Sequence, residues 1–494
     1  MTLAPYWRNR LFAAAAAPVA VWLGFDIAQG SYFWPACCAA ALALFLLARW
    51  QPLPLSTLIL GAVVAGYVIG NRGFAQISLT PSFPLLPAET ALLVAGAVLL
   101  VQCAWRHELP FVRDPLNYLL LTWIAVGALR IGFDVRLYGF MALRDFALVY
   151  YAAFFFLGQA AAREPASERF LERALLVSCA VLLPVYEIYK RVPDFFIGTL
   201  TLRGNPIIFF KDDLAGTFLA AGAVLVYLRW EHRSRWFAAA GSLVFAGAAL
   251  ATGNRASLLG LAAAAAWLAV GGRWRFATVQ TAGAAVAAAV VLAGATALKI
   301  PWERTPVYGV YERVSSVVDV SGSRIYESRD AENKGDNNLF RKVWWETVID
   351  DTLHGNPYIG LGFGTDLADR FVREYYPESG EEFSTRSPHN VLLTIFARMG
   401  ALGLALFLAV LGTIGVYTWR AVRAGPTDAA PWCAAWAILV SACLGVVLEG
   451  PMGAVVFWTL LGTANARRRA ALPNAGDPPA GDANSAPVES ESAR

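Results

Sequence analysis

The sequence predicts an all-α polytopic membrane protein of about 12–14 transmembrane helices with one large loop domain on the outer face. Three observations predict it. Of 494 residues, 57% are hydrophobic and 15% charged, whereas soluble domains run near a quarter charged. Apolar runs of roughly 18 residues or more, enough to cross a bilayer, recur along nearly the whole chain. The intervening loops alternate between short Arg-rich segments and segments poor in clustered cations, as the positive-inside rule requires of a multi-pass protein.

Taken in order, the expected spans are 11–27, 32–49, 53–70, 88–105, 116–130, 145–161, 170–188, 213–229, 236–251, 256–271, 276–298, 390–418, 432–448 and 452–466. Two adjacent short spans merging into one re-entrant element would leave twelve. The first stretch, RNRLFAAAAAPVAVWLGF, has the basic flank and apolar core of a signal peptide. Because further apolar spans follow at once, it is expected to be retained as a helix. Pro184 lies inside a span, where bilayer helices tolerate proline. The divisions that follow are 1–298 for the first eleven helices, 299–388 for a periplasmic loop domain, 389–469 for the last helices and 470–494 for a disordered tail.

Arg8 and Arg10, Arg106 and Arg113, Arg229, Arg233 and Arg235, and Arg467, Arg468 and Arg469 mark loops expected in the cytoplasm, with both termini there. The loops 30–31, 71–89, 131–144, 190–211, 251–255, 299–388 and 449–452 then face the periplasm or exterior. A net charge of +4 is too small to imply a nucleic-acid partner. The tail from Leu472 is rich in Pro, Ala, Ser and Glu, a composition that does not pack. Within the long loop, FRKVWWETVIDDTL reads as an amphipathic helix with Phe340, Val343, Trp344, Val348 and Leu353 near one face. The six cysteines all fall in apolar segments and read as packing residues, so neither a disulfide framework nor a thiolate metal site is expected.

The informative side chains are the outer-side cations and one histidine. Arg203 (TLRGNPIIFFKDDLAG), Arg255 (ATGNRASLLG) and Arg341 (NNLFRKVWWE) stand against the charge trend. Arginines near a bilayer pair, snorkel or face a cavity. A phosphate or diphosphate would suit them, since the guanidinium fork matches its oxygens and stays charged. His389 stands where the long loop turns back into an apolar span, and an unperturbed imidazole pKa near 6.5 suits general-base work. The acidic pairs Asp212–Asp213 and Asp350–Asp351 are candidates for a divalent cation but read more simply as solvated charges. GLGFGTD (360–366) looks like a phosphate loop but lacks the lysine and strand-turn-helix context, and a tight turn after Asn356–Pro357 is expected instead.

These residues together resemble the O-antigen ligase and polymerase superfamily, the WaaL- and Wzy-type membrane glycosyltransferases. HNVLLTIFARMGALG is similar to its ligase-type pattern at His389, Asn390, Gly400 and Gly403. RVSSV, NNLFRKVWW and NPYIGLGFG resemble its outer-loop pattern, and GNRAS and LRGNPIIFFKDDLAGTFLA its earlier arginine motifs. The resemblance covers about residues 203–403. It implies a GT-C-like helical enzyme, without cofactor or metal, in the bacterial inner membrane. Such an enzyme transfers a glycan from undecaprenyl diphosphate to an acceptor hydroxyl with inversion. Carried onto this chain, it implies His389 as base, Arg255 and Arg341 on the donor diphosphate, and Arg203, Asn390, Arg313 and Trp345 as substrate-binding residues, with Asn390 orienting the imidazole. The expected partners are the lipid-linked donor, a lipid A-core or glycan acceptor, and the bilayer. Ligation to lipid A-core leads. A Wzy-type polymerase, a protein O-oligosaccharyltransferase and a lipid-linked sugar transporter are the alternatives.

Overall fold

The computed structural model describes residues 18–31, separate positions between 34 and 46, 53–78, 85–318 apart from 108 and 110, 329–376 and 386–470. The signal-like start of the chain, most of the expected second span and the expected tail lie outside the described residues. The protein is helical: α1 Pro18–Ala28, α2 Leu55–Ala75, α3 Pro87–Arg106, α4 Pro115–Tyr138, α5 Phe140–Tyr150, α6 Ala153–Ala161, α7 Pro165–Arg191, α8 Asp212–Trp230, α9 Arg235–Ala251, α10 Arg255–Val270 and α11 Arg275–Ala297. The long loop holds α12 Pro306–Val318, α13 Arg329–Gly355 and α14 Asp369–Tyr375; then follow α15 Val391–Ala424, α16 Pro426–Ala442 and α17 Pro451–Ala470. Among the described residues, seven helices are long and apolar enough to cross a membrane, with α5 and α6 counted as one; α9 and α10 are apolar but shorter.

Helix α8 is the central rod, with every residue from Leu214 to Leu228 buried. Its sequence is apolar on all sides and rich in Gly and Ala, so neighbours approach on every face. The same small-residue logic seats α17 on α6, where Gly158 lies against the Thr459 backbone and Gly462 against that of Phe155. At the other extreme, α11 buries only Phe276 and Ala295, leaving the apolar surface a lipid-facing helix presents. At the end of the bundle away from the long loop, Asp114 caps α4 by accepting from Leu116 N at 2.8 Å. It also accepts from the Tyr417 hydroxyl at 2.9 Å and pairs with Arg468. Arg467 pairs with Glu168 and Glu172, and Arg229 reaches Glu172 at 3.1 Å. Arginines expected to mark one face by charge therefore also lock the helix ends there.

At the loop-bearing end the structure corrects three expectations. The stretch 131–144 is helical apart from a break at Gly139 (φ 54°, ψ −129°) rather than an open loop. Its Asp134 serves a docking contact, accepting from Phe363 N at 2.7 Å, and Asp145 just beyond the stretch accepts from Gly364 N at 3.0 Å. The expected span 432–448 ends early, at Ala442, and 443–450 turns irregularly beneath a cleft, where non-helical backbone is tolerated. In α13, Trp344 and Val348 are buried and Phe340 and Val343 pack on them, but Leu353 is exposed.

The glycine loop 360–366 is a tight turn, with Gly360, Gly362 and Gly364 at φ 75°, 92° and 96°. Its amides are taken by Asp134 and Asp145, and its Gly362 and Thr365 carbonyls accept from Arg398. Arg398 in turn pairs with Asp145 at 2.7 Å. The loop thus clamps the long-loop unit to the bundle. Asp145→Asn leaves the buried guanidinium without its counter-charge. It is expected to destabilise the protein by at least about 1–3 kcal/mol, read as a lowered Tm in detergent.

Candidate active site

The site grows from the starts of three helices. His389 and Asn390 precede α15, and Asn390 Oδ1 accepts from Leu392 N and Leu393 N at 3.0 and 3.2 Å. That capping satisfies two of the orphan amides of the helix. His389 itself takes φ 56°, a left-handed conformation uncommon for a side-chain-bearing residue. Its neighbours hold it there: Trp345 Nε1 donates to Pro388 O at 2.6 Å, and the Trp344 ring meets the imidazole edge-on at 5.9 Å. Trp344 is fixed by stacking on Phe371 at 5.5 Å and by donating from Nε1 to Leu367 O at 2.9 Å.

Arg255 opens α10. The GNRAS stretch is a turn and cap: Gly253 is left-handed at φ 72°, and Asn254 Oδ1 accepts from Ala256 N at 2.7 Å. Arg255 Nη1 donates to Ser316 O at 2.9 Å and Nη2 to Asn338 Oδ1 at 2.9 Å. These bonds tie the bundle to both α12 and α13. Arg341, on α13, donates from Nη1 to Leu444 O at 3.0 Å, while its buried Nε has no hydrogen-bond partner. The third helix start is α8, preceded by Lys211, whose Nζ lies 3.7 Å from Asp213 Oδ2.

His389, Arg255, Arg341 and Arg313 line one cleft of about 560 Å³, together with Lys211, Asp213 and Asn338. Helix starts carry partial positive charge, so three of them and four cations make the cleft a site for an anion. Asp212 and Asp213 moderate that field; the Asp212 carboxylate is engaged by the Tyr186 hydroxyl at 2.7 Å. Among the described residues no cluster of His, Cys, Asp and Glu has the geometry to hold a metal ion. Asp350 and Asp351 both accept from Arg370, at 2.7 and 2.8 Å.

Electrostatics set the imidazole's state. Burial first, then the charges of Arg341 and Lys211, push the His389 pKa down to about 4. It is therefore neutral near pH 7 and able to accept a proton, but as a weaker base than a free histidine. Burial also lowers the pKa of Arg341, partly offset by Asp213, and raises that of Glu449.

Not every expected residue reaches the cleft. Arg203 sits on the exposed turn of a two-residue hairpin, Thr201–Leu202 with Asn205–Pro206, and donates to Ser78 O at 3.4 Å. Trp345 stands behind the site, holding Pro388. Asn390 spends its side-chain oxygen on helix capping. Sequence reasoning overlooked Lys211 and Asn338. The KDD triplet had drawn attention to its acids alone, and Lys211 carried the same signal as the noted arginines, an outer-side cation.

Arg341→Lys keeps the charge but loses the fork. If the cleft holds the diphosphate donor that the sequence resemblance implies, this exchange is expected to raise the donor KM at least tenfold, measured with lipid-linked glycan in detergent micelles. An unchanged KM would mean that the guanidinium does not hold the donor.

Among curated proteins none matches the chain. Residues 240–408, which carry Arg255, Arg313, Arg341 and His389, match the Wzy_C family model, described as O-antigen ligase, and this match over part of the chain supports a place in the O-antigen ligase and polymerase superfamily.

Proposed function

We propose that the protein transfers a glycan from undecaprenyl diphosphate to an acceptor hydroxyl at the periplasmic face of the bacterial inner membrane, ligating O-antigen to lipid A-core. One observation carries this reading: an imidazole shares a cleft with three arginines. The diphosphate binds Arg255 and Arg341, with Arg313 beside them. The acceptor oxygen attacks the anomeric carbon as His389 takes its proton. The bond from that carbon to the diphosphate oxygen breaks, and the electron pair leaves with the lipid diphosphate. Charge building on the leaving group meets fixed guanidinium groups, the electrostatic effect that is commonly the largest in enzymes. Attack opposite the leaving group inverts the anomeric centre. No divalent cation has a part in the reading, because the arginines neutralise the phosphates.

The family match supports the superfamily and the cleft supports anion-linked transfer; the acceptor is what an experiment must read. With His389 replaced by alanine in the native host, the glycan left on undecaprenyl diphosphate is sized. Long chains are expected from a stalled ligase. Single repeat units would make the protein a polymerase, and an unaltered glycan profile would overturn the transferase reading.

A further inference from the structure

A second polar cleft, of about 460 Å³, meets the first at His389 and Lys211. Arg72, Arg144 and Glu449 line only this second cleft, whereas Arg255, Arg313 and Arg341 line only the first. Two of its other cations are structural: Arg398 pairs with Asp145 at 2.7 Å, and Arg386 lies 3.4 Å from Asp366 while donating to Gly364 O at 2.7 Å. Arg72 and Arg144 differ. Both are exposed, and neither forms an ion pair with a carboxylate among the described residues. Among the described residues Arg144 donates to the Met141 sulfur, at 3.9 Å, and the Arg72 guanidinium lies 5.5 Å from the Phe209 ring centroid.

The local backbone is built to place Arg72 there. Buried Asn71 breaks α2 with φ 54° and ψ −127°, a conformation that costs of order 1–3 kcal/mol and persists only where the surroundings enforce it. Its Oδ1 accepts from Arg72 N at 2.9 Å and from Lys211 N at 3.2 Å. One strained asparagine therefore sets both the cation of the second cleft and the lysine shared by the two. Gly70 and Gly73 let the chain at 206–209 lie on the end of the broken helix, where a Cβ would strike its backbone. Of the two carboxylates that line this cleft, Asp145 is paired with Arg398 and Glu449 is occupied by the Thr394 hydroxyl at 2.9 Å.

We propose that this second cleft is the acceptor subsite and that the acceptor is an anionic saccharide. Its phosphate or carboxylate is held by Arg72 and Arg144 while a neighbouring hydroxyl reaches His389. The proposal rests on the transferase reading above and adds to it the charge class of the acceptor. Exposed guanidinium groups hold such oxygens bidentately, and the junction at His389 lets one imidazole serve ligands from both sides.

The test uses the full chain in nanodiscs with Arg72→Gln, Arg144→Gln and the double variant. Each is offered a matched pair of acceptor saccharides, one carrying its phosphate or carboxylate and one with the phosphate removed or the carboxyl reduced to the alcohol. Acceptor binding at equilibrium and transfer are both measured. For the anionic acceptor, the double variant is expected to raise Kd and KM at least tenfold. Values for the neutral acceptor and for the donor should stay unchanged, and Arg72→Lys should recover part of the loss. A rise in donor KM would assign the cleft to the donor. Equal effects on charged and neutral acceptors, or none on either, would mean that the arginines hold bilayer phosphates or no ligand, and either result overturns the proposal. A wild-type protein that binds the anionic saccharide through these arginines yet transfers nothing would sink the transferase reading and leave the anion subsite standing.

Discussion

Replacing His389 by alanine is expected to cut glycan transfer by about 10²–10⁴-fold, the usual value of general-base help, while the protein stays folded and binds donor. The alanine removes the proton acceptor and leaves Arg255, Arg313 and Arg341 in place around the cleft. The pH dependence is sharper still. With the imidazole held near 4 by burial, Arg341 and Lys211, the free enzyme is in its base form at any pH well above that value. The profile of kcat/KM for the donor should therefore stay flat through neutrality and fall only as pH drops through about 4. Bound diphosphate would offset Arg341 and Lys211 and raise the imidazole pKa. The acid limb of kcat, which reports the complex, should then lie at higher pH than that of kcat/KM. Stability follows the same sign: unfolded histidine binds protons below about 6.5, while the folded one does not until about 4. This contribution is thus complete above the unfolded value and is lost as pH falls between the two. A transfer-competent His389→Ala protein, or a kcat/KM limb near 6.5, would refute the assignment.

How much of this could be read in the sequence depended on whether the information was local. The apolar helices from residue 55 onward announced themselves through uninterrupted apolar length, whereas the capping by Asn254 and Asn390 emerged only in the fold. His389, Arg255 and Arg341 were legible because each is a polar residue where the pattern around it is not. Arg72 escaped, because what makes it matter is a contact between residues 71 and 211, a separation no local pattern records. The same holds for 131–144. Read alone, its Asp and Arg residues mean a solvated loop, while in the fold Asp134 and the adjoining Arg130 grip a turn more than 200 residues away. Apolar character likewise carried the expected span at 432–448 past its true end, since Val446, Val447 and Leu448 are as hydrophobic in an irregular turn as in a helix.

Gly400→Ala should be strongly damaging, because Gly400 is where the long-loop segment is threaded into the bundle. Helix α15 breaks there, with φ 65° and ψ −165°, a region essentially reserved for glycine. The break releases amides that the loop then takes up. Ala401 N donates to Pro357 O at 2.8 Å and Leu402 N to Tyr358 O at 3.1 Å, while Leu361 N donates back to Ala397 O at 2.7 Å. A Cβ on Gly400 would fall on the Tyr358 carbonyl, so the strap at 357–361 must leave the break. The dihedral strain costs about 1–3 kcal/mol, and each displaced hydrogen bond adds about 0.5–1.5 kcal/mol. Together these are a large part of the 5–15 kcal/mol, roughly, that keeps a domain folded. The consequences reach the cleft, because the strap leads into the turn held by Asp134 and Asp145 and on to Leu367, whose carbonyl fixes Trp344 beside His389. Gly400→Ala is therefore expected to lower Tm and to abolish transfer together. Gly412→Ala serves as the control: it lies in the same helix, a Cβ there meets nothing within 4 Å, and it should match the wild type. If Gly400→Ala unfolded at the wild-type temperature, the inserted strap would not be what holds the long-loop unit over the site, and the placement of His389 would have to come from α15 alone.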